Sequence, residues 1–156
     1  MSRSYNKKKY RYIANEFWND KYIQSLEPIE KYAFLYFLTC PNFHISGIYN
    51  ISLKRAAIET DLSDELLIGC LDKFALDGRI FFVSNAWIII PRSLAHKPLN
   101  SSIMTNVLKV ISELGQSVIN SNGYKLWLKS ISAILDASEI NLNEIKAIKK
   151  LLNILQ

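Results

Sequence analysis

The stretch between Gly78 and Pro91 constrains the fold more than any other part of the chain. Two apolar arms, Arg79-Ile80-Phe81-Phe82-Val83 and Trp87-Ile88-Ile89-Ile90, flank the polar break Ser84-Asn85-Ala86. Aromatic and β-branched residues on both sides of a short polar break predict a β-hairpin. Pro91 closes the second arm, and Gly78 ends the helical pattern before the first. Most other patterned segments have helical spacing, so the hairpin belongs to a mainly helical fold with a small sheet.

The segments upstream set its context. Ser63 is placed to cap a helix whose first turn carries Asp64 and Glu65 and whose core face is Leu67, Cys70, Leu71 and Phe74. Asp61-Leu62 makes a turn. Ser52 is the expected cap of a preceding helix over residues 53–60, with Leu53, Ala56, Ala57 and Thr60 on one face. Before it, Ile48-Tyr49-Asn50-Ile51 reads as a short strand after a loop containing Gly47. Pro28 suits the first turn of a helix reaching Leu38, with Glu30 favourable near its positive end. That helix is apolar on every side, which predicts a central element packed by neighbours on several faces; Cys40-Pro41-Asn42 ends it. Asn19 or Asp20 is placed to cap a short helix running to about Leu26. Helix, strand, helix, turn, helix, hairpin is the element order of a winged helix-turn-helix domain.

Beyond the hairpin the pattern changes. Pro98-Leu99-Asn100-Ser101 is linker-like, and helical patterns follow over about residues 103–119, 123–135 and 142–155. The last opens on a capping box, Asn141 with Glu144, and carries an apolar stripe of Leu142, Ile145, Ile148, Leu151, Leu152 and Leu155. Lys146, Lys149 and Lys150 occupy its other faces. Trp127 with Leu126, Leu128, Ile131 and Ile134 is the expected core of this tail. The organisation expected is a basic arm (1–12), a winged-helix domain (13–97) and a C-terminal helical region (98–156).

The chain has 156 residues, 49% hydrophobic and 21% charged, which suffices for a packed core and excludes wholesale disorder. Cys40 and Cys70 lie within apolar helical patterns, favouring free thiols in a reducing cytosol over a disulfide framework. The polar, basic beginning has no apolar stretch after it, so no secretory leader is expected. The longest aliphatic run, Ile88-Ile89-Ile90, is far short of a membrane span. A soluble cytoplasmic protein is expected, with no membrane association.

Catalysis finds no motif. Cys40 and His44 are four apart, yet two ligands do not make a zinc site, and His96 stands alone. The five glycines form no phosphate loop, and no serine or cysteine nucleophile comes with a paired base. No catalytic residue, metal ligand or cofactor is expected.

Binding chemistry is better represented. The net charge of +5 concentrates at the N-terminus, where Arg3, Lys7, Lys8, Lys9 and Arg11 alternate with Tyr5, Tyr10 and Tyr12 and no acid intervenes. Such an arm suits phosphate contacts with tyrosines stacked on bases or sugars; the alternative is a solvated terminus. Lys54, Arg55, Arg79, Arg92 and Lys97 are further candidate phosphate contacts, or simply solubilising charges. The helix after Ser63 is the groove reader of a winged helix-turn-helix. Its outer face carries Glu65, Ile68, Gly69, Asp72 and Leu76, which is acidic and apolar. Carboxylates there oppose phosphates, so Glu65, Ile68, Asp72 and Leu76 suit a protein partner better than base readout.

The residues also resemble a family. Phe17-Trp18-Asn19-Asp20, Ile23-Gln24-Ser25-Leu26-Glu27-Pro28-Ile29-Glu30-Lys31 and Phe34-Leu35-Tyr36-Phe37-Leu38-Thr39 look like the N-terminal domain of DnaD-like, replisome-organiser replication proteins of phages and prophages. Ile45-Ser46-Gly47-Ile48-Tyr49, Glu59-Thr60-Asp61-Leu62-Ser63, Gly78-Arg79-Ile80 and Trp87-Ile88-Ile89-Ile90 follow in the same order. The resemblance covers about residues 10–97. It implies a winged helix, self-association and binding to double-stranded DNA during replication initiation in a bacterial host. The alternative expectation is a winged-helix module that inhibits or recruits a host or phage protein complex.

Overall fold

The computed structural model describes residues 9–95, 97, 99–138 and 140–154. Contacts divide the chain into two compact units, Met1–Thr39 and Cys40–Gln156.

In the first unit a 3-10 turn over Asn15–Asn19 precedes α1 (Lys21–Ser25) and α2 (Pro28–Thr39). Asp20 caps α1, its carboxylate accepting from the amides of Tyr22 and Ile23. The Glu30 side chain reaches back to accept from the Glu27 amide at 2.8 Å, satisfying a donor that the start of α2 leaves free. Phe34 sits between the rings of Phe17 and Tyr22, with centroids 6.3 and 5.9 Å away. Ala33, Phe34 and Phe37 of α2 are buried, whereas Ile29 and Tyr32 are nearly half exposed. The all-round apolar pattern therefore overstates the cover of this helix: its first turns present two large side chains to solvent.

The second unit is mainly helical with a three-stranded antiparallel sheet. Its elements are β1 (Ile48–Asn50), α3 (Leu53–Thr60), α4 (Asp64–Leu76), β2 (Phe81–Val83), β3 (Trp87–Ile89), α5 (Ser101–Ser112), α6 (Gln116–Ile119), α7 (Asn122–Asp136) and α8 (Leu142–Ile154). The sheet order is β1-β3-β2; β3 pairs Ile89 with both Ile48 and Phe81. Thus α3 and α4 are inserted between an edge strand and the hairpin.

Local chemistry explains the boundaries. The Ser63 hydroxyl accepts from the Leu66 amide, as a cap should. Ser52 adopts a cap's extended backbone but makes no such bond. At the end of α4 the Arg79 amide donates to Phe74 O and the Gly78 amide to Ala75 O, with Gly78 at φ +67°. These two bonds form a Schellman stop, which needs the left-handed conformation glycine adopts freely. Ser84 and Asn85 both have positive φ, making the primed turn that matches the twist of paired strands. The expected helix over 103–119 is two: it breaks at Glu113–Gly115, because Gly115 is extended (ψ 163°) and begins α6. At α8, Asn141 accepts from the Asn143 amide, while Glu144 makes no return bond among the described residues.

One core serves the sheet and the C-terminal helices. Ile48 and Ile89 of the sheet cluster with Met104, Val107, Ile111, Tyr124, Trp127, Ile131 and Leu135, and onward to Ile145, Ile148 and Leu152 of α8. The Trp127 indole N–H donates to the Ser46 carbonyl at 2.7 Å, both groups buried. Trp127 is thus core, but not core of a separate tail. Leu126, expected beside it, is 41% exposed instead. Gly123 lets α7 approach the sheet, since a Cβ there would meet Phe81 Cγ at 2.7 Å. No described helix is long and apolar enough to cross a membrane.

Candidate functional site

Arg3, Lys7, Lys8 and His96 lie outside the described residues. The described part of the arm divides in role. Tyr10 and Tyr12 are 76% and 91% exposed, so neither ring is packed away. Lys9 is exposed, but Arg11 is half-buried and its Nε donates to the Leu38 carbonyl at 3.1 Å. That bond satisfies an end carbonyl of α2 and ties Arg11 to structure as much as to any ligand.

The cations of the second unit also separate by environment. Lys54 and Arg92 are exposed and have no ion pair among the described residues. Arg55 bonds Glu59 one turn on at 2.7 Å, an exposed pair that adds little stability but offsets its charge. Arg79 and Lys97 are half-buried. Of the expected phosphate contacts among the described residues, Lys9, Lys54 and Arg92 are presented without a competing partner.

On α4 the core face is the expected one, with Leu67, Cys70, Leu71 and Phe74 buried. The opposite face presents Glu65, Gly69 and Asp72 to solvent together with Ile68 (43% exposed) and Leu76 (90%). Leu66 and, on α3, Ile58 (82% exposed) extend the exposed apolar set. Ile58 is legible in retrospect, because it stands opposite Ala56 and Thr60 on the helical wheel.

The thiol and imidazole have local duties. Burial pushes the Cys40 thiol up, away from the thiolate a nucleophile or metal ligand needs. His44 Nδ1 accepts from the Ser46 amide at 3.2 Å and lies 2.8 Å from the Ser46 hydroxyl, bracing the turn into β1. Among the described residues no three of His, Cys, Asp and Glu converge to hold a metal.

A cleft of about 640 Å³ opens among α6, α7 and α8, lined by Lys125, Lys129 and Lys149 with Asn120 and Ser132. The spacing of Lys125 and Lys129, i and i+4, is a readable signal of one helical face. Lys149 comes from another helix, and no local pattern connects it to them. No protein-family model matches the chain, and no curated protein or solved structure matches it.

Proposed function

We propose that the chain is a non-enzymatic DNA-binding protein of phage or mobile-element replication initiation, self-associating and bound to duplex DNA mainly through phosphates. One observation carries this reading: α3 and α4 stand between the first and second strands of a β1-β3-β2 sheet whose last two strands form a hairpin. That arrangement supports a winged helix, and it agrees with the resemblance to DnaD-like domains. Base readout by α4 is disfavoured, because Glu65 and Asp72 face outward and would oppose the phosphates flanking the groove. Contact falls instead to the basic arm and to the cations of the domain, of which Lys9, Lys54 and Arg92 are presented without an ion pair among the described residues.

The test is a salt titration of duplex binding by fluorescence anisotropy. Each phosphate contact adds about −0.9 to the log–log slope, so Lys9, Lys54 and Arg92 by themselves give about −2.7, a roughly 40-fold loss of affinity between about 50 and 200 mM salt. A flat dependence, or no binding at low salt, refutes the reading.

A second reading is favoured by the exposed Ile68 and Leu76 set among acids on α4. Here the winged-helix module works through protein contacts, inhibiting or recruiting a host or phage complex, and the same face serves to join protomers in the first reading.

A further inference from the structure

None of the residues lining the α6–α7–α8 cleft belongs to the surfaces described above. Among the described residues that line it, three are lysines and none is a carboxylate. Lys125 and Lys129 are exposed, one turn apart, and without an ion pair among the described residues. Like charges at this spacing repel across one helical turn, so the pair contributes nothing to holding α7 together. Lys149 is already paired with Asp136, which fixes its ammonium group and leaves the free charge of the cleft on the other two.

The neutral groups have the same polarity. The Asn120 carbonyl oxygen accepts from Gln116 Nε2 at 3.0 Å, which leaves the Asn120 amide N–H groups to donate. Ser132 lies three residues beyond Lys129 on the same face of α7, its hydroxyl unbonded among the described residues. Leu128 and Leu152 supply an apolar floor. Two unpaired ammonium groups, an amide donor and a hydroxyl over an apolar floor complement an anion with several acceptor oxygens and a less polar body.

We propose that this cleft binds phosphate groups, those of a nucleotide or of a nucleic-acid strand, with Lys125 and Lys129 paired to the non-bridging oxygens. Lysine acts there as a point charge, needing no planar, bidentate fit. Asn120 and Ser132 donate to the remaining oxygens, and the floor takes the sugar or base. The cleft is independent of the duplex contacts assigned to Lys9, Lys54 and Arg92.

The experiment is calorimetric titration of the full chain with pyrophosphate and with a single-stranded oligonucleotide. It compares wild type, Lys125→Gln/Lys129→Gln and a control, Lys146→Gln/Lys150→Gln, which removes the same charge from exposed positions of α8 outside the cleft. Thermal melts confirm that both variants fold. Each lost charge-assisted hydrogen bond weakens binding by about tenfold, so the cleft variant, which loses two, weakens by about a hundredfold while the control stays close to wild type. Tighter pyrophosphate than strand binding identifies a nucleotide-type ligand, and the converse a nucleic-acid strand; either supports the cleft. Absence of binding to both probes, or equal losses in the two variants, overturns it. If the cleft variant keeps the salt-dependent duplex binding of wild type, the DNA reading stands whatever the fate of the cleft.

Discussion

Gly123→Ala tests the packing of α7 against the sheet, because two effects of opposite sign compete at that position. Gly123 lies in the first turn of α7 with no left-handed backbone to protect, so alanine is favoured by helix propensity, by up to about 1 kcal/mol. Against this, the new Cβ would sit 2.7 Å from Phe81 Cγ and 2.8 Å from Phe81 Cβ. Phe81 Cβ is fixed by the β2 backbone, so a rotamer change at Phe81 cannot relieve the overlap, and α7 must move outward. Overpacking of this kind costs about 1–3 kcal/mol. The movement also stretches the buried Trp127–Ser46 hydrogen bond, worth roughly another 1 kcal/mol. The steric terms exceed the propensity gain, and the expected net loss is about 1–3 kcal/mol. At roughly 2–4 °C per kcal/mol for a chain of this size, the melting temperature falls measurably. Urea titration gives the free energy. In a double-mutant cycle, the cost of Gly123→Ala should shrink to a small fraction once Phe81→Gly has removed both the ring and the Cβ. A Gly123→Ala variant more stable than wild type refutes the close approach of α7 to β2.

Two other outcomes follow from side chains already described. The Tyr124 hydroxyl is buried without a hydrogen-bond partner among the described residues, and desolvation pushes its pKa from 10.0 to about 12. The unfolded chain ionises first, so stability present below pH 10 declines as pH rises toward 12. Tyr124→Phe keeps the ring stacked on Trp127, removes the unpaired hydroxyl and should flatten that decline in alkaline denaturation curves; an unchanged decline refutes the assignment. Ile68→Asp with Leu76→Asp changes two exposed positions of α4, so the melting temperature should hold. Light scattering should show loss of self-association, and assembly identical to wild type would remove this face as an interface.

Local elements were legible in the sequence where caps and stops have specific chemistry. Ser63 and Gly78 bound α4 closely, and the aromatic hairpin arms place β2 and β3 within a residue or two. The outward face of α4 was equally readable, since a buried stripe of Leu67, Cys70, Leu71 and Phe74 determines what lies opposite. Continuity of hydrophobic spacing hid the break at Gly115, because Ile111, Leu114 and Val118 are all buried on either side of it. Hydropathy likewise cannot say which apolar stripe meets which. The stripe of α7 looked self-sufficient, yet its indole bonds a carbonyl beside β1. Similarly, Arg11 looks like a free charge in the sequence, because nothing in local spacing reveals Leu38 O beside it, whereas the i, i+4 spacing of Arg55 and Glu59 is itself a local signal of their bond.

The bond between Trp127 and Ser46 spans 81 positions, and that separation has a meaning in time. Ribosomes add about 5–20 residues per second, so Ser46 emerges roughly 4–16 s before the indole that caps its carbonyl. A hairpin closes in about 1–10 μs, so β2 and β3 can pair long before α7 exists. Until α7 is made, the face formed by Ile48 and Ile89 lacks the part of its helical cover that Trp127, Ile131 and the residues after them supply. The nascent chain therefore passes through a stage with an open apolar sheet, which makes the rate of synthesis between β3 and α7 a determinant of how much protein reaches the native state.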